Sequence, residues 1–249
     1  MSLVDVKGKT AVITGASRGI GAGIAEIFAA RGMNLGLCSR SAPALEEGDA
    51  VLARSVDVRD EAAMRAFAAD VEARFGAIDL WINNAGILDP IAPLRRVSIE
   101  AFREHIDINL TGVFIGSRCY VDLVRAREGG GVLINISSGA AWNGYAGWSA
   151  YCAGKAGVAL LTQCIALEEA EAGLRAHAVA PGVVDTEMQA LIRASSEDDF
   201  PSLERFVEMK RDDTFNSVAF VAEHLLALAF DPAAQTDEVD VRLPNEKGD

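Results

Sequence analysis

The sequence predicts an α/β fold: a single domain on a doubly wound parallel sheet of about seven strands, with helices on both faces. Three observations predict it. Short apolar runs alternate with amphipathic ones along the whole chain, the order that builds βαβ units. Those short runs lack strict apolar–polar alternation, which marks strands buried on both faces. The length, 249 residues, suits one large domain better than two small ones, and no internal repeat or low-complexity linker divides it.

"TAVIT" reads as the first strand, and "GIGAGIAEIFAARG" as a helix stopped by Gly32. "MNLGLCS" and "VLARSVD" are the second and third strands. "DEAAMRAFAADVEARFG" has alanine-rich helical spacing and its own glycine stop. "IDLWINNAG" is the fourth strand. The run "SIEAFREHIDINLTGVFIGSRCYVDLVRAR" reads as one long helix from a Ser98 cap, with Phe102 and Ile106 at helical intervals. "GVLINISS" is the fifth strand, the helix around "WSAYCAGKAG" follows, and "LRAHAVAPG" is the sixth strand. "NSVAFVAEHLLALAF" is a late helix and "DEVDVRL" the last strand. Residues 187–214 are polar and strandless, just after the sixth strand. A flap over the site is expected there, with an ordinary surface helix pair as the alternative.

Half of the residues are hydrophobic, and the formal net charge is −13. So acidic a surface argues against nucleic acid or anionic membranes as partners; one small anion held by local cations remains compatible with it. The start, "MSLVDVKGKTAVITG", lacks a basic segment followed by a long apolar core, and runs such as "HLLALAF" are too short to cross a bilayer. Cys38, Cys119, Cys152 and Cys164 form no Cys-x-x-Cys pair, and His105, His177 and His224 have no metal-ligand spacing. A cytoplasmic protein with reduced thiols and no metal site is expected.

"TGASRGIG" follows the first strand and opens the first helix. Gly15, Gly19 and Gly21 let the backbone turn tightly and approach a pyrophosphate facing the helix N-terminus. An acid at the end of the second strand would bind the adenosine ribose of NAD. Here that strand ends "LCSRS", and no acid lies between Gly32 and Ser41. Arg40 stands where the carboxylate would be, and Arg18 projects from the glycine loop. Two guanidiniums can grip a 2′-phosphate, so NADP(H) is the expected coenzyme.

Tyr151 and Lys155 are four residues apart and share one helical face. A nearby ammonium favours the phenolate and lowers the phenol's pKa. Such a tyrosine can protonate a carbonyl oxygen as hydride arrives, or take the proton back in reverse. Ser138, at the end of the fifth strand, supplies a second donor if the sheet brings it beside Tyr151. Trp142, Tyr145 and Trp148 lie between them. They either wall an aromatic substrate pocket, with Trp148 as a substrate contact, or pack in the core.

In order and spacing, "TGASRGIG", Asp57–Val58, "NNAG" at Asn83–Gly86, "NLTG" at Asn109–Gly112, "ISS", "YCAGK" and "PGVVDT" resemble the short-chain dehydrogenase/reductase family over nearly the whole chain. The resemblance implies a Rossmann-type fold with Ser138 orienting the carbonyl and Tyr151 as acid/base. It also implies that Lys155 lowers the pKa of Tyr151 and binds the nicotinamide ribose, and that Asn109 holds a water in a proton relay. Coenzyme contacts are implied for Gly15, Ser17, Arg18, Gly19, Ile20 and Gly21, for Ser39 and Arg40, and for Asp57 and Val58 at the adenine. Further contacts are implied for Asn84, Ala85 and Gly86, for Tyr151 and Lys155, and for Pro181, Gly182, Val183 and Thr186. "GWSAYCAGKAG", "LEE", "PGVVDTEMQ" and "EVDVR" resemble the sepiapterin reductase and benzil reductase branch, which shares Gly154 where many relatives have serine. In that branch Asp240 is the candidate to anchor a pterin; a strand-end carboxylate without catalytic role is the alternative.

An NADPH-dependent oxidoreductase reducing a 1,2-dicarbonyl, a pterin side chain or another aromatic ketone is therefore expected. A catalytically silent NADP(H)-binding sensor and a 3-oxoacyl-thioester reductase are the alternatives. A sugar-nucleotide epimerase shares Tyr-x-x-x-Lys, but has different glycine spacing and a larger C-terminal substrate domain. By family analogy the apolar helices at "SIEAFREHIDINLTGVFIGS" and around Tyr151 pair across a two-fold axis, giving a homodimer or homotetramer.

Overall fold

Strand β1 (Thr10–Thr14) has all five residues buried, and its alternate side chains serve two different cores. Ala11 and Ile13 face one hydrophobic cluster and Val12 the other, which is why the segment reads as continuously apolar. The computed structural model describes residues 4–248; residues 1–3 and 249, the two ends of the predicted domain, lie outside the described residues. The remaining strands are β2 (Asn34–Ser39), β3 (Val51–Ser55), β4 (Leu80–Asn83), β5 (Gly131–Ile136), β6 (Leu174–Ala180) and β7 (Asp240–Arg242). They form one parallel sheet in the order β3-β2-β1-β4-β5-β6-β7. The order reverses direction between β1 and β4, where a crevice opens beyond the carboxyl ends of the strands.

Helices α1 (Gly19–Ala30) and α8 (Val218–Phe230) cover one face through Ile24, Phe28 and Leu225. The other face carries α2 (Glu61–Phe75), which buries Met64, Phe67 and Val71. Asp60, Ser98 and Ser217 cap helix starts, each side chain accepting a backbone N–H three residues on. Such caps contribute roughly 1 kcal/mol each.

The predicted long helix from Ser98 is broken in the middle. It runs as α3 (Ile99–Ile106), a π-helical turn over Asp107–Thr111, and α4 (Gly112–Arg125). The turn places Asn109, a fully buried polar residue, where regular helical pitch would have continued. Further on, α5 (Ser149–Glu169) buries Tyr151, Lys155 and Ile165. With the 3₁₀ turn after it, this is the one helix among the described residues that is long and apolar enough to cross a membrane; here it packs on β6. Residues 187–214 hold α6 (Glu187–Arg193) and α7 (Leu203–Arg211). Ile192, Phe200 and Phe206 from this segment join Leu88, Trp148 and Tyr151 in a third cluster.

Candidate active site

The carboxyl ends of the strands open into one cleft of about 1160 Å³. Gly15, Ser17, Arg18, Gly19 and Ile20 line it from the first turn, and Ser39, Arg40, Asp57 and Val58 from the ends of β2 and β3. Asn84, Ala85 and Gly86 line it after β4, and Ser138, Trp148, Tyr151 and Lys155 from β5 onward. Pro181, Gly182, Val183 and Thr186 complete it after β6. Gly21, Asn109 and Asp240, which the sequence places among the site residues, do not line the cleft.

The first turn fits a pyrophosphate. Gly15 and Gly19 have φ of +68° and +58°, conformations that favour glycine. A Cβ on Gly15 would stand 2.7 Å from the Ala85 Cα, and one on Gly21 would stand 2.5 Å from the Gly15 carbonyl oxygen. Gly21 therefore shapes the turn from behind it. Thr14 Oγ1 accepts the backbone N–H groups of Asn84 (3.0 Å) and Ala85 (3.1 Å), locking the turn to the end of β4. Helix α1 begins with no side-chain cap and no acid in its first turn, so its free N–H groups face the cleft ready for an anion. Ser137 Oγ, Trp148 Nε1 and Gln189 Oε1 are also buried in the cleft wall with no hydrogen-bond partner among the described residues. A bound ligand satisfies such groups.

At the adenosine end, Arg40 is exposed on the cleft wall and no carboxylate ends β2. Asp57 accepts hydrogen bonds from the Arg59 guanidinium, the shortest 2.6 Å, which hold its carboxyl below the usual range. Arg18 has a partner within the chain. Its Nη1 lies 2.6 Å from the Glu187 carboxylate at the start of α6, so the guanidinium bridges the cleft to the residues beyond β6.

At the other end, Ser138 follows β5 and caps a short 3₁₀ turn, accepting the Ala140 N–H at 3.2 Å. Burial raises the Tyr151 phenol, and the neighbouring Ser138 side chain opposes the rise. Lys155 is buried one turn further along α5. Its Nζ donates to the Ile136 carbonyl at 2.7 Å and stands 5.8 Å from the Tyr151 ring centroid, and burial brings its own pKa down to about 8. Tyr151 thus keeps its proton at neutral pH, the form a carbonyl reduction needs in its acid.

Asn109 is buried behind the cleft lining. Its Oδ1 accepts the Ile87 N–H at 2.8 Å, and its Nδ2 donates to the Ile87 carbonyl and to His105 Nε2, both at 2.7 Å. The side-chain amide is thus taken up in bracing the segment after β4. Asp240 does not line the cleft either. At the start of β7 its Oδ2 accepts from Gln163 Nε2 at 2.5 Å. Two residues on, at the top of the strand, it is Arg242 that reaches the cleft.

A buried amide network escaped the sequence reading. Trp81 Nε1 donates to Asn83 Oδ1, Asn83 Nδ2 to Asn135 Oδ1, and Asn135 Nδ2 to Thr162 Oγ1, each at 2.9 Å. It ties β4, β5 and α5 together beneath Ser138 and Tyr151. Asparagines inside "LWIN" and "LINI" were its only signal, since a buried amide needs partners. Among the described residues no three His, Cys, Asp or Glu side chains gather to hold a metal.

The sequence profile of the family described as short chain dehydrogenase matches residues 9–197. The 3beta-hydroxysteroid dehydrogenase 1 of Eggerthella lenta is 42% identical over 195 residues, covering 75% of this chain and 74% of that protein. The benzil reductase ((S)-benzoin forming) of Bacillus subtilis is 34% identical over 226 residues, covering 87% and 91%. Among solved structures, levodione reductase superposes with a TM-score of 0.84 at 29% identity, covering 95% of this chain and 96% of that one.

Proposed function

This chain belongs to the short-chain dehydrogenase family, whose members interconvert carbonyls and alcohols with a nicotinamide coenzyme, and we propose that it uses NADPH to reduce a bulky aromatic ketone or 1,2-dicarbonyl. One observation carries the reading. Ser138 and Tyr151 lie together on the same cleft that Arg40 borders at its far end. The dinucleotide supplies the hydride. Ser138 and Tyr151 then both point hydroxyls at the substrate oxygen, and Tyr151 gives it the proton that its buried setting has kept in place. Lys155 holds positive charge beneath the phenol as that proton leaves. Around them Trp148, Tyr145 and Phe206 pack at ring distances of 5.2 Å and 5.5 Å, an apolar wall suited to an aromatic substrate. The benzil reductase likeness supports a diketone. Asp240, bound to Gln163, lends no support to a pterin.

Helices α4 and α5 expose Phe114, Leu160 and Leu167, and these faces are proposed to pair with further copies of the chain. A cytoplasmic location agrees with the free thiols of Cys38, Cys119, Cys152 and Cys164. The test is initial-rate oxidation of NADPH and of NADH over benzil, other diketones, pterins, quinones and 3-oxoacyl thioesters. Preference for NADPH and turnover of an aromatic diketone are the expected results, with turnover lost and NADPH binding nearly intact in Tyr151→Phe. Binding of NADPH without turnover of any ketone would overturn it in favour of a coenzyme sensor.

A further inference from the structure

We propose that the substrate end of the cleft is an anion subsite, in which Arg205 and Arg242 receive a carboxylate or similar group carried by the ketone at the end remote from its carbonyl. The inference rests on the reductase reading and narrows its substrate class.

In a chain of net charge −13, unpaired cations stand out. Most arginines here are engaged by carboxylates or, like Arg127 and Arg175, by backbone carbonyls. Arg205 and Arg242 make no ion pair with a carboxylate among the described residues, yet both line the cleft. Aromatic rings hold them there instead. The Arg242 guanidinium carbon lies 4.0 Å from the Trp142 ring centroid, and that of Arg205 lies 6.0 Å from the Phe206 ring. Arg205 Nη1 also approaches the Tyr145 hydroxyl at 3.5 Å. Stacking on a ring orients a guanidinium while leaving its N–H edge free for an anion.

Position places both at the substrate end. Arg242 is paired in register with Ala180, the residue before Pro181 and Gly182. Phe206, beneath Arg205, packs 5.5 Å from Trp148, whose ring is 5.4 Å from Tyr151. Arg205 thus stands about two aromatic rings away from the phenol, which leaves room for an aryl spacer between the reacting carbonyl and the anion. Among the described residues none of the carboxylates on the cleft, Asp57, Asp89 and Glu187, makes an ion pair with Arg205 or Arg242.

The experiment compares three diketones that differ mainly in charge: benzil, benzil-4-carboxylate and its methyl ester. KM is measured with NADPH. Dissociation constants are measured on the NADP⁺-loaded enzyme, which cannot reduce them, by tryptophan fluorescence. The carboxylate is expected to show KM and Kd about tenfold below the ester. That ratio is expected to shrink toward one in Arg205→Gln and Arg242→Gln, and at high salt, since both cations are exposed. Equal values for acid and ester, or a ratio unchanged in both variants, overturn the subsite. Preferential binding of the carboxylate with turnover of none of the three upholds the subsite and removes the reductase reading instead.

Discussion

Asn109 and His105 meet at 2.7 Å, amide Nδ2 against ring Nε2, on successive turns of a helix that changes pitch between them. His105 Nδ1 lies 2.7 Å from the Asp89 carbonyl oxygen, so the ring carries its proton there and offers Nε2 as acceptor. This fixes which way the Asn109 amide faces and, through it, the backbone of Ile87 on the cleft wall after β4. Removing the acceptor leaves a buried donor short of a partner, at a cost of about 1–3 kcal/mol. His105→Phe is therefore expected to lower the urea midpoint, with NADPH binding weakened in step. Burial and the nearby Lys155 charge also hold the imidazole below its ordinary value, and the Asp89 carbonyl bond only partly offsets them. A depressed histidine stabilises the fold fully above its unfolded pKa of about 6.5, and the benefit is lost as pH falls below it. In the wild type stability should fall more steeply from pH 6.5 downward than in His105→Phe. Parallel pH profiles would remove His105 from this account.

Lys155 gives a second, opposite pH dependence. Burial lowers its pKa to about 8, so its ammonium is present at neutral pH and disappears as pH rises through that value. Tyr151 is shifted upward and stays protonated in the same window. Ketone reduction should be level below pH 8 and fall above it, by up to about tenfold per pH unit. The reverse oxidation needs the phenol to accept a proton and should rise with pH. Stopped-flow rates in Lys155→Met are expected to be low and to lose the break near pH 8. A break that survives in that variant belongs to another group.

Much of this was legible in the chain itself. The strands were readable because a parallel sheet buried on both faces leaves uninterrupted apolar runs, as "TAVIT" and "GVLINI" show. Tyr151, Lys155 and Ser138 were readable because helical pitch and strand order place them without long-range knowledge. The π turn was not, because local spacing from Ser98 to Arg125 is helical throughout and the change of pitch comes with Asn109 closing on Ile87. Nor could sequence reveal that Arg18 finds Glu187, a partner 169 residues away. It singled out Asp240 in "EVDVR" while strand register puts Arg242, two positions later, at the rim of the cleft.

Two glycines separate shape from accident. A Cβ on Gly21 would collide with the Gly15 carbonyl oxygen at 2.5 Å, whereas one on Gly154 would meet nothing closer than His105 Nε2 at 3.5 Å. Gly21→Ala should therefore distort the first turn, weaken NADPH binding at least about tenfold and destabilise the fold by about 1–3 kcal/mol. Gly154→Ala should keep full activity and gain up to about 1 kcal/mol, since a mid-helix glycine costs that much against alanine. Coenzyme titration and urea melts of the two variants decide it. A Gly154→Ala enzyme as impaired as Gly21→Ala would show the neighbourhood of Asn109 to be tighter than the structure has it.

The Arg18–Glu187 pair spans the cleft at 2.6 Å with both side chains about two-thirds exposed. An ion pair so exposed contributes at most about 1 kcal/mol, so breaking it costs little, and a coenzyme phosphate offers Arg18 a more highly charged partner. Binding then amounts to an exchange in which Glu187 competes with the dinucleotide for one guanidinium. Glu187→Gln should tighten NADPH by about threefold to tenfold while shifting the urea midpoint hardly at all. Arg40 faces no such competitor, and Arg40→Asp should instead shrink the preference for NADPH over NADH. The two effects are separable: Glu187→Gln acts on affinity through Arg18, and the double variant Arg18→Ala/Glu187→Gln should lose the gain. If Glu187→Gln leaves NADPH affinity where it was, Arg18 does not leave its carboxylate for the coenzyme, and the phosphate contact falls to Arg40 alone.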